Sequence, residues 1–471
     1  MLFHSFPYVL AFLPVVVIVH FVLAERAGRR SAQAWLLASS IFFYGWGKPS
    51  NLLLLFGSIL FNWAAARAMA AAAEPGRRKI ILQAALAGNI LFLCCFKYAN
   101  FLLGVLPFGS HLTLPDWSLP LGISFFTLTQ VMFLVDTYQG LNGPNSLFDH
   151  ATMVALFPYV ISGPLVRSRA IVPQFHEWKL SEGRMEAACR GLYLFAIGLF
   201  KKVVFADSFA AVADAGYRSA GSLSTIEAWV ATLAYTFQIY FDFSGYSDMA
   251  VGAALMLGIE IPQNFNAPYR SKSISEFWQR WHISLSNFIT SYLYTPLLRS
   301  MGTATVWTSA LAILLAMGIA GLWHGPAWTF VVFGFLHGVG LSVNQIWKKK
   351  KLGKVPDWLG WLLTLSFVNV TFVFFRSPDV STALRLLGRM VPNGPIFGFA
   401  ALGRVLPLTP MLVARPVVVG SVLALCFMSS AQLKKALQLR PLTAAATAAL
   451  VLVALFYMNS AAARQFVYFA F

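Results

Sequence analysis

The chain has 471 residues, of which 58% are hydrophobic, 15% aromatic and only 11% charged, with a formal net charge of +18 at pH 7. Soluble domains carry about 25% charged residues, so this composition excludes an ordinary soluble protein and indicates an integral membrane protein. The excess of basic residues lies in short loops, where contact with anionic lipid headgroups explains it without a nucleic-acid partner.

Apolar runs follow one another along the whole chain, and many approach the ~20 residues that a membrane span requires. They predict an all-α polytopic membrane protein of about eleven to thirteen helices, in which residues 1–471 form a single integral membrane domain. The runs lie near residues 7–24, 35–46, 51–72, 80–106, 119–135, 151–163, 188–206, 228–243, 249–261, 306–322, 327–346, 358–374, 411–429 and 442–458.

The first loops predict a topology. Basic residues cluster at 25–30 and at 67–79, and basic short loops mark the cytoplasmic side of a membrane protein. Two crossings must then lie between these loops, and the sequence Gly-Trp-Gly-Lys-Pro-Ser (45–50) divides the intervening apolar stretch. We therefore predict a helical hairpin around this break, a retained first span at 7–24 and a periplasmic N terminus.

Charged residues interrupt the apolar runs in the middle of the chain. Lys201 and Lys202 lie inside Gly-Leu-Phe-Lys-Lys-Val-Val-Phe (198–205), where snorkelling towards the interface explains them. Asp242 and Asp248 lie among aromatic and hydroxyl side chains, and carboxylates in such a segment need partners. As proton carriers they would indicate a coupled transporter. As hydrogen-bond acceptors they would brace neighbouring segments of an enzyme, and bracing is slightly favoured.

The most polar long stretch covers residues 262–298 and predicts an interfacial or re-entrant segment. Ser273 and Glu276 have capping-box spacing, so a helix begins there. Its apolar side chains recur at helical spacing: Ile274, Phe277, Trp281, Leu285 and Phe288. Anchoring at the membrane interface is the alternative to a site role for Arg280 and Trp281, and it accounts for Trp281. His282 needs a partner if it is buried.

A second histidine ends the long apolar run 306–322. The sequence Gly-Leu-Trp-His-Gly-Pro places His324 just before Gly325 and Pro326, which interrupt the helix. Polar groups beside broken backbone at membrane depth persist only in buried or wet positions, and an ionisable residue there is a functional hypothesis. The alternative, a satisfied core histidine, carries equal weight on this feature alone.

The next helix of the pair, 327–346, ends in five lysines within residues 348–354, which anchor that end in the cytoplasm. A straight helix of this length rises ~30 Å, so His324 is expected towards the opposite leaflet. Histidine suits proton transfer near neutral pH, so two histidines on different elements, His282 and His324, are compatible with an acyl-transfer site. No Walker loop, zincin motif, Gly-x-Ser-x-Gly elbow or metal-ligand spacing is present, which excludes a nucleotide-driven pump within this chain.

Together these segments resemble the membrane-bound O-acyltransferase (MBOAT) superfamily, and especially its bacterial branch with the alginate O-acetyltransferase membrane subunit and the teichoic-acid D-alanyl transfer protein. The matching stretches are Phe-Pro-Tyr-Val-Ile-Ser-Gly-Pro-Leu-Val-Arg (157–167), Gly-Leu-Phe-Lys-Lys (198–202), Phe-Asp-Phe-Ser-Gly-Tyr-Ser-Asp-Met-Ala-Val-Gly (241–252), Asn-Phe-Asn-Ala-Pro-Tyr (264–269), Ser-Ile-Ser-Glu-Phe-Trp-Gln-Arg-Trp-His-Ile-Ser-Leu-Ser (273–286), Gly-Leu-Trp-His-Gly (321–325), His-Gly (337–338) and Gln-Phe-Val-Tyr-Phe (465–469).

The resemblance implies a ring of tilted helices around a tunnel that links the two membrane faces. It implies that His324 is the catalytic histidine of the Trp-His-Gly motif and that His282, of the Arg-Trp-His motif, is the second active-site histidine. A cytoplasmic thioester, acetyl-CoA or another, would donate the acyl group to an acceptor on the other side, with no permanently bound cofactor. The motifs supply the expected supporting or substrate-binding residues: Trp323, Asp242, Asp248, Arg280, Asn266 and Trp281.

The function that follows is a membrane O-acetyltransferase of the bacterial inner membrane, serving an exported, alginate-like polysaccharide. Its expected partners are the lipid bilayer, a periplasmic SGNH-like acetyltransferase and the polysaccharide export machinery. D-alanyl transfer to teichoic acid is one alternative. An ion-coupled transporter is a second, although no repeat of the Trp-His-Gly break suggests inverted symmetry.

Two details bear on specificity. Within Ser-Tyr-Leu-Tyr-Thr-Pro-Leu-Leu-Arg (291–299), Ser291 stands where relatives often have an aspartate, and Leu298 and Arg299 replace a glycine pair. This departure is expected to alter the cytoplasmic loop and the choice of donor. Near the catalytic histidine, the side chains expected to narrow the cavity to a small acyl group are Leu322, Trp323 and Trp328.

Overall fold

The computed structural model describes residues 1–105, 119–143, 145–176, 183–392, 394, 396, 415–426, 429–460, 466 and 467. Within these ranges the chain is helical and contains no β-strand. The prediction of an all-α polytopic membrane protein is confirmed.

The chain folds into two compact units. The first contains Met1–Ala196, Asp248–Pro262 and Gln438–Ala444, and the second contains Ile197–Ser247, Gln263–Leu437 and Ala445–Phe471. The assignment of residues 1–471 to one integral membrane domain stays a prediction.

Up to residue 256, π-helical turns lie at Pro7–Phe12, Cys94–Tyr98 and Lys201–Ala206, beside the described α-helices. They are α1 (Leu13–Arg26), α2 (Arg29–Gly45), α3 (Asn51–Ala71), α4 (Pro75–Leu93), α5 (Ala99–Val105), α6 (Ile123–Tyr138), α7 (Leu147–Ala155), α8 (Ser168–His176), α9 (Arg184–Phe200), α10 (Asp207–Arg218) and α11 (Thr225–Met256).

The later helices include a 3₁₀ turn at Pro268–Arg270 and a π-helical turn at Ile289–Tyr294. They are α12 (Ile274–Arg280), α13 (Ile283–Phe288), α14 (Thr295–Ser300), α15 (Val306–His324), α16 (Trp328–Lys349), α17 (Asp357–Arg376), α18 (Val380–Met390), α19 (Arg415–Cys426), α20 (Ser430–Ala436) and α21 (Pro441–Ser460).

Seven helices within the described ranges are long and apolar enough to cross a membrane, and α6 and α19 are shorter apolar helices. The seven are Pro7–Arg26, Asn51–Ala71, Pro75–Val105, Val306–His324, Trp328–Lys349, Asp357–Arg376 and Pro441–Asn459. The total number of crossings, the ring and its tunnel stay predictions.

Three of the expected runs differ from the helices observed. The run 151–163 is not one helix, because α7 ends at Ala155 and turns follow, where Pro158 lacks the amide hydrogen that a continuing helix needs. The runs 228–243 and 249–261 are joined, because α11 continues through the intervening Gly245 and ends only at Met256. By contrast, the expected break between α2 and α3 is present, at residues 46–50.

In the first unit, α3, α4 and α6 pack through small and apolar side chains that include Met69, Ala85 and Leu134. Two buried amides tie α3 to α4. Asn89 Nδ2 donates to Asn62 Oδ1 at 2.7 Å, and Asn62 Nδ2 donates to Asn89 Oδ1 at 3.3 Å. Paired amides satisfy each other's hydrogen-bonding groups, so two polar residues can lie inside an apolar helix pair.

In the second unit, α15 and α16 form a closely packed antiparallel hairpin. A Cβ atom on Gly334 would lie 2.3 Å from the Met317 carbonyl oxygen, and a Cβ atom on Gly321 would lie 2.4 Å from the Phe330 carbonyl oxygen. Only glycine permits this approach of two backbones, as in the small-residue interfaces of membrane helices. The hairpin carries His324 at its tip and Lys348 at its open end.

Candidate active site

His282 lies between two short helices rather than within one. The predicted helix start is confirmed, since the Ser273 hydroxyl accepts a hydrogen bond from the Glu276 amide at 3.2 Å. The continuous helix expected beyond it is wrong. α12 ends at Arg280, α13 begins at Ile283, and His282 adopts a left-handed conformation with φ of 43°. A non-glycine residue there costs about 1–2 kcal/mol, which surrounding contacts must offset.

Backbone hydrogen bonds from residues 264–266 hold both sides of this break. The Asn266 amide donates to the Arg280 carbonyl at 2.9 Å, and the Ile283 amide donates to the Asn264 carbonyl at 3.0 Å. The Arg280 guanidinium donates to the Asn266 carbonyl at 3.2 Å and to Glu276 Oε1 at 3.0 Å. Arg280 therefore supports the strained turn.

Asn264 completes this clamp, and sequence reasoning missed it in favour of Asn266. Its side-chain oxygen accepts a hydrogen bond from the Ser284 amide at 3.0 Å, which caps the start of α13. Because that donor is a backbone amide, the orientation of the Asn264 carboxamide is fixed. The structure gives Asn266 its role through backbone atoms.

The His282 ring is fully buried. The Phe243 ring of α11 lies 4.7 Å from it, at an angle of 87°. Burial lowers the pKa of His282 to about 3, because the imidazolium would lose its hydration. His282 is therefore neutral at physiological pH and is suited to hydrogen bonding rather than to accepting a proton.

His324 is the last residue of α15 and is 5% exposed. Gly325 follows in an extended conformation, and a Cβ atom there would lie 2.2 Å from the Phe330 ring. The His324 imidazole lies 5.1 Å from the Phe375 ring and 5.0 Å from the Trp323 ring. The absence of a side chain at Gly325 thus lets the Phe330 ring pack against the turn that follows His324.

An aromatic cluster connects the surroundings of the two histidines. Phe372 of α17 lies 6.2 Å from Phe375, which borders His324. On its other side Phe372 lies 5.3 Å from Trp281, the residue before His282. Trp281 is buried, so its role is cluster packing rather than the interfacial anchoring that the sequence suggested.

A third buried histidine, His337, ties three helices of this cluster together. The Trp278 indole donates to His337 Nδ1 at 3.1 Å, so Nε2 carries the hydrogen and donates to the Thr371 hydroxyl at 3.0 Å. The hydroxyl in turn donates to the Val368 carbonyl at 2.9 Å. Both imidazole nitrogens are thus engaged in fixing α12, α16 and α17.

Asp242 braces the second unit, as slightly favoured from the sequence. Its carboxylate lies 2.8 Å from Lys202 Nζ, which also lies 3.0 Å from Asp207. The backbone amide of Val467 donates to Asp242 Oδ2 at 2.7 Å. The snorkelling expected of Lys202 is wrong, because its side chain is only 3% exposed and forms buried ion pairs.

The remaining expected residues divide between the core and the surface. Asp248 is buried and belongs to the first unit. Trp323 is also buried, and its expected role in narrowing a cavity stays a prediction. Trp328, the first residue of α16, is 57% exposed, and its expected role in that constriction stays a prediction.

A cavity of about 420 Å³ lies in the second unit beside α12, α13, α15 and α16. It falls within the range of small-molecule sites, and apolar residues alternate in its wall with hydroxyl and amide groups. Leu341 and Gln345 of α16 border it towards the lysine end of the hairpin. Trp278 and Met317 border the cavity towards the two histidines. Met317 lies ~10 Å along α15 from His324.

The chain has relatives among proteins of known name. It is 39% identical over 422 residues to the peptidoglycan O-acetyltransferase of Helicobacter pylori, covering 83% of this chain and 80% of the relative. It is 36% identical over 407 residues to the Pseudomonas aeruginosa protein named "Probable alginate O-acetylase AlgI", covering 84% and 75%. The teichoic acid D-alanyltransferase of Streptococcus thermophilus is more distant, at 27% identity over 280 residues, covering 54% and 68%.

Residues 81–350 match the model of the MBOAT, membrane-bound O-acyltransferase family. This match covers the clamp around His282, the α15–α16 hairpin and the 420 Å³ cavity. The transporter alternative is wrong, and the bracing contacts of Asp242 agree with that. The chain belongs to the membrane-bound O-acyltransferase family and is an O-acyltransferase of that family.

Proposed function

We propose that this protein takes an acetyl group from a cytoplasmic thioester and passes it to an acceptor across the bacterial inner membrane, for O-acetylation of a cell-envelope polysaccharide. The observation that carries the proposal is the arrangement of the α15–α16 hairpin. Its tip holds His324 in the aromatic cluster, and its lysine end borders the 420 Å³ cavity.

The donor enters through this cavity. The lysines at 348–351 mark the cytoplasmic end of α16, and Gln345 lies one turn inside them. Hydroxyl and amide groups of Ser275, Gln279 and Asn287 line the same cavity and suit the amide-rich arm of a thioester such as acetyl-CoA.

The chemistry is acyl transfer with a histidine base. The acceptor hydroxyl attacks the thioester carbonyl, a C–O bond forms, and His324 takes the hydroxyl proton. The tetrahedral intermediate then expels the thiolate, the C–S bond breaks, and the sulfur receives the proton from His324. His282, which is neutral and buried, serves as the second histidine by hydrogen bonding.

Two polymers are favoured as final acceptors, because one relative is named for peptidoglycan and others for alginate. A periplasmic SGNH-like acetyltransferase is the proposed partner that completes transfer to the polymer. D-alanine is a less favoured cargo, since the teichoic acid relative covers only about half of this chain.

The test is His324→Ala in cells that depend on this gene for polymer acetylation. We expect transfer to fall by at least the ~10²–10⁴-fold typical of lost acid–base help, while the protein still accumulates in the membrane. His282→Gln should also lower transfer. The matched control is His176→Gln, because the His176 side chain is 60% exposed at the end of α8 and should leave transfer unchanged.

The readout separates the candidate cargoes and acceptors. Labelled acetate and labelled D-alanine are supplied in parallel, and peptidoglycan fragments and exported polysaccharide are analysed by mass spectrometry for added acetyl groups. Normal polymer acetylation in the His324→Ala protein would overturn the proposed base. If the polymers carry label from D-alanine but none from acetate, the transferred group is D-alanine rather than acetyl.

A further inference from the structure

A second cavity, of about 220 Å³, lies in the first unit where α3 and α4 meet. Its wall combines residues of α3, α4 and α6 with the loop that follows α6. Among the described residues, its charged groups are the guanidinium groups of Arg67 and Arg78, and no carboxylate contributes to the wall. The cavity thus has a concentrated positive charge.

Among the described residues, neither guanidinium is neutralised by a carboxylate. In the described part of the structure, no ion pair joins either arginine to a carboxylate, including that of Glu74 in the turn between the two helices. Arg67 lies over the Trp63 ring at 5.8 Å, and Arg78 lies over the Tyr138 ring at 6.0 Å. Arg78 Nη2 also donates to the Tyr138 carbonyl at 3.5 Å, whereas its buried Nε has no hydrogen-bond partner. These contacts orient both groups and leave guanidinium N–H groups for an anion.

The rest of the wall is held in place by hydrogen bonds. The Trp63 indole donates to the Asn145 carbonyl at 3.1 Å, and the Asn142 side chain donates to the Phe133 carbonyl at 3.2 Å. The Asn145 side chain donates to the Ser168 hydroxyl at 2.6 Å. The cavity is therefore formed in advance, and an anion would bind without ordering the loop.

Position and size indicate the source of the anion. α3 and α4 are both candidate membrane spans, so the turn at residues 72–74 lies at the level of the lipid headgroups. The exposed side chains of Arg77 and Lys79 flank it and mark the cytoplasmic face. A volume of 220 Å³ is below the ~300–1,000 Å³ of drug-sized ligand sites, which suits a headgroup rather than a nucleotide-containing thioester.

We propose that this cavity binds the phosphate of an anionic phospholipid headgroup from the cytoplasmic leaflet. Arg67 and Arg78 donate charge-assisted hydrogen bonds to the phosphate oxygens, and the acyl chains lie along the outer surface of α3 and α4. The lipid fixes the α3–α4 turn at the membrane surface. This site is independent of the histidine chemistry, so it stands or falls apart from the proposed acetyl transfer.

The test uses the purified full-length protein and native mass spectrometry with short-chain phosphatidylglycerol, short-chain phosphatidylcholine and inorganic phosphate as separate probes. We expect the protein to bind one phosphatidylglycerol molecule tightly and phosphatidylcholine more weakly. Removing one arginine charge near a membrane surface weakens the binding of an anion by about fivefold. The double variant Arg67→Gln, Arg78→Gln should therefore bind phosphatidylglycerol ~25-fold more weakly. The matched control is Arg77→Gln, which removes an exposed charge from the same turn and should retain the bound lipid.

Equal phosphatidylglycerol binding by the double variant and the Arg77→Gln protein would overturn the site. If inorganic phosphate binds as tightly as phosphatidylglycerol, the lipid is not the ligand and the cavity is a site for free phosphate. Unchanged melting of the double variant without lipid is the accompanying check, because both arginines lie at the edge of the fold and their replacement should not unfold it.

Discussion

Single residues decide whether the strained turn at His282 holds its shape. Asn264 accepts from the Ser284 amide through its side chain, whereas Asn266 acts through its backbone. Replacing a helix cap costs about 0.5–2 kcal/mol, and misplacing a catalytic group by ~1 Å can lower a rate by ~10²-fold. We therefore expect Asn264→Ala to lower the acyl-transfer rate by ~10–100-fold.

The matched control for this prediction is Asn266→Ala, which retains both backbone contacts and should keep near-normal transfer. Both rates are measured at saturating donor in membranes adjusted to equal protein content. A larger loss in the Asn266→Ala protein than in the Asn264→Ala protein would contradict the clamp.

The lowered pKa of His282 predicts an effect of pH on stability. The imidazole has an ordinary pKa of 6.5 and a folded-state pKa of about 3, so between these values the unfolded chain binds a proton that the folded chain does not. The free energy of unfolding therefore falls as the pH drops below 6.5, by up to ~1.4 kcal/mol per pH unit. Apparent melting temperatures in detergent should decline less steeply from pH 7 to pH 5 in His282→Gln than in the natural protein.

An equal decline in the two proteins would show that His282 titrates normally in the folded state. His150 provides a matched comparison, because burial lowers its pKa to about 3 as well and it belongs to the first unit. His150→Gln should remove a similar part of the slope without affecting transfer as His282→Gln does.

At the scale of residues, the sequence predicted contacts between residues that lie a few positions apart in the chain. Ser273 and Glu276 form the expected cap, because the two residues of such a cap lie three positions apart. The partners of Lys202 and Ser284 were not predictable from spacing. Asp242 is 40 positions from Lys202 and Asn264 is 20 positions from Ser284, so tertiary folding alone brings each pair together.

At the scale of elements, the closeness of α15 and α16 depends on glycine. The Cβ atom of Gly334→Ala would lie 2.3 Å from the Met317 carbonyl oxygen and 2.8 Å from the Gly321 Cα atom, and neither backbone can yield without separating the helices. Overpacking of this kind costs about 1–3 kcal/mol. We expect the variant to melt at a lower temperature and to lose most acyl transfer, because His324 lies at the tip of the same hairpin.

Gly318→Ala is the matched control within α15. Its Cβ atom would meet the Phe335 ring at 3.6 Å, which is ordinary van der Waals contact. The melting temperature and the transfer rate should then equal those of the natural protein. Equal effects of the two substitutions would show that helix glycines matter here through flexibility rather than through close packing.

The apolar runs predicted well that helices are present. They predicted less well the residues at which these helices begin and end. The hairpin break at 46–50 was predictable because glycine and proline occur together there. The interruption at His282 carries no such signal, since neither glycine nor proline lies beside it. The apolar stripe on both sides of the interruption still marked buried residues correctly.

At the scale of the whole molecule, a buried charge cluster joins distant parts of the second unit. Lys202→Met would leave Asp207 and Asp242 without their shared ammonium group, and removing one partner of a buried ion pair costs about 3–5 kcal/mol. We expect the variant to accumulate poorly and to lose transfer in proportion, as measured by fluorescence-detected size exclusion and polymer acetylation.

Lys201→Met is the matched control, because its ammonium donates to the hydroxyls of Ser244 and Ser430. Losing hydrogen bonds to hydroxyls costs about 0.5–1.5 kcal/mol each, so the control should accumulate better. Better accumulation of the Lys202→Met protein than of the Lys201→Met protein would contradict the importance of the buried cluster.

The contact between Val467 and Asp242 spans 225 positions of the chain. A ribosome adds ~5–20 residues per second, so the carboxylate is in place about 10–45 seconds before the amide that caps it is made. Synthesis of α11 therefore precedes completion of its own charge cluster, which stays open at Asp242 until Val467 has been made. A nascent chain stalled before residue 466 would carry both candidate catalytic histidines and yet lack the hydrogen bond from Val467 to Asp242.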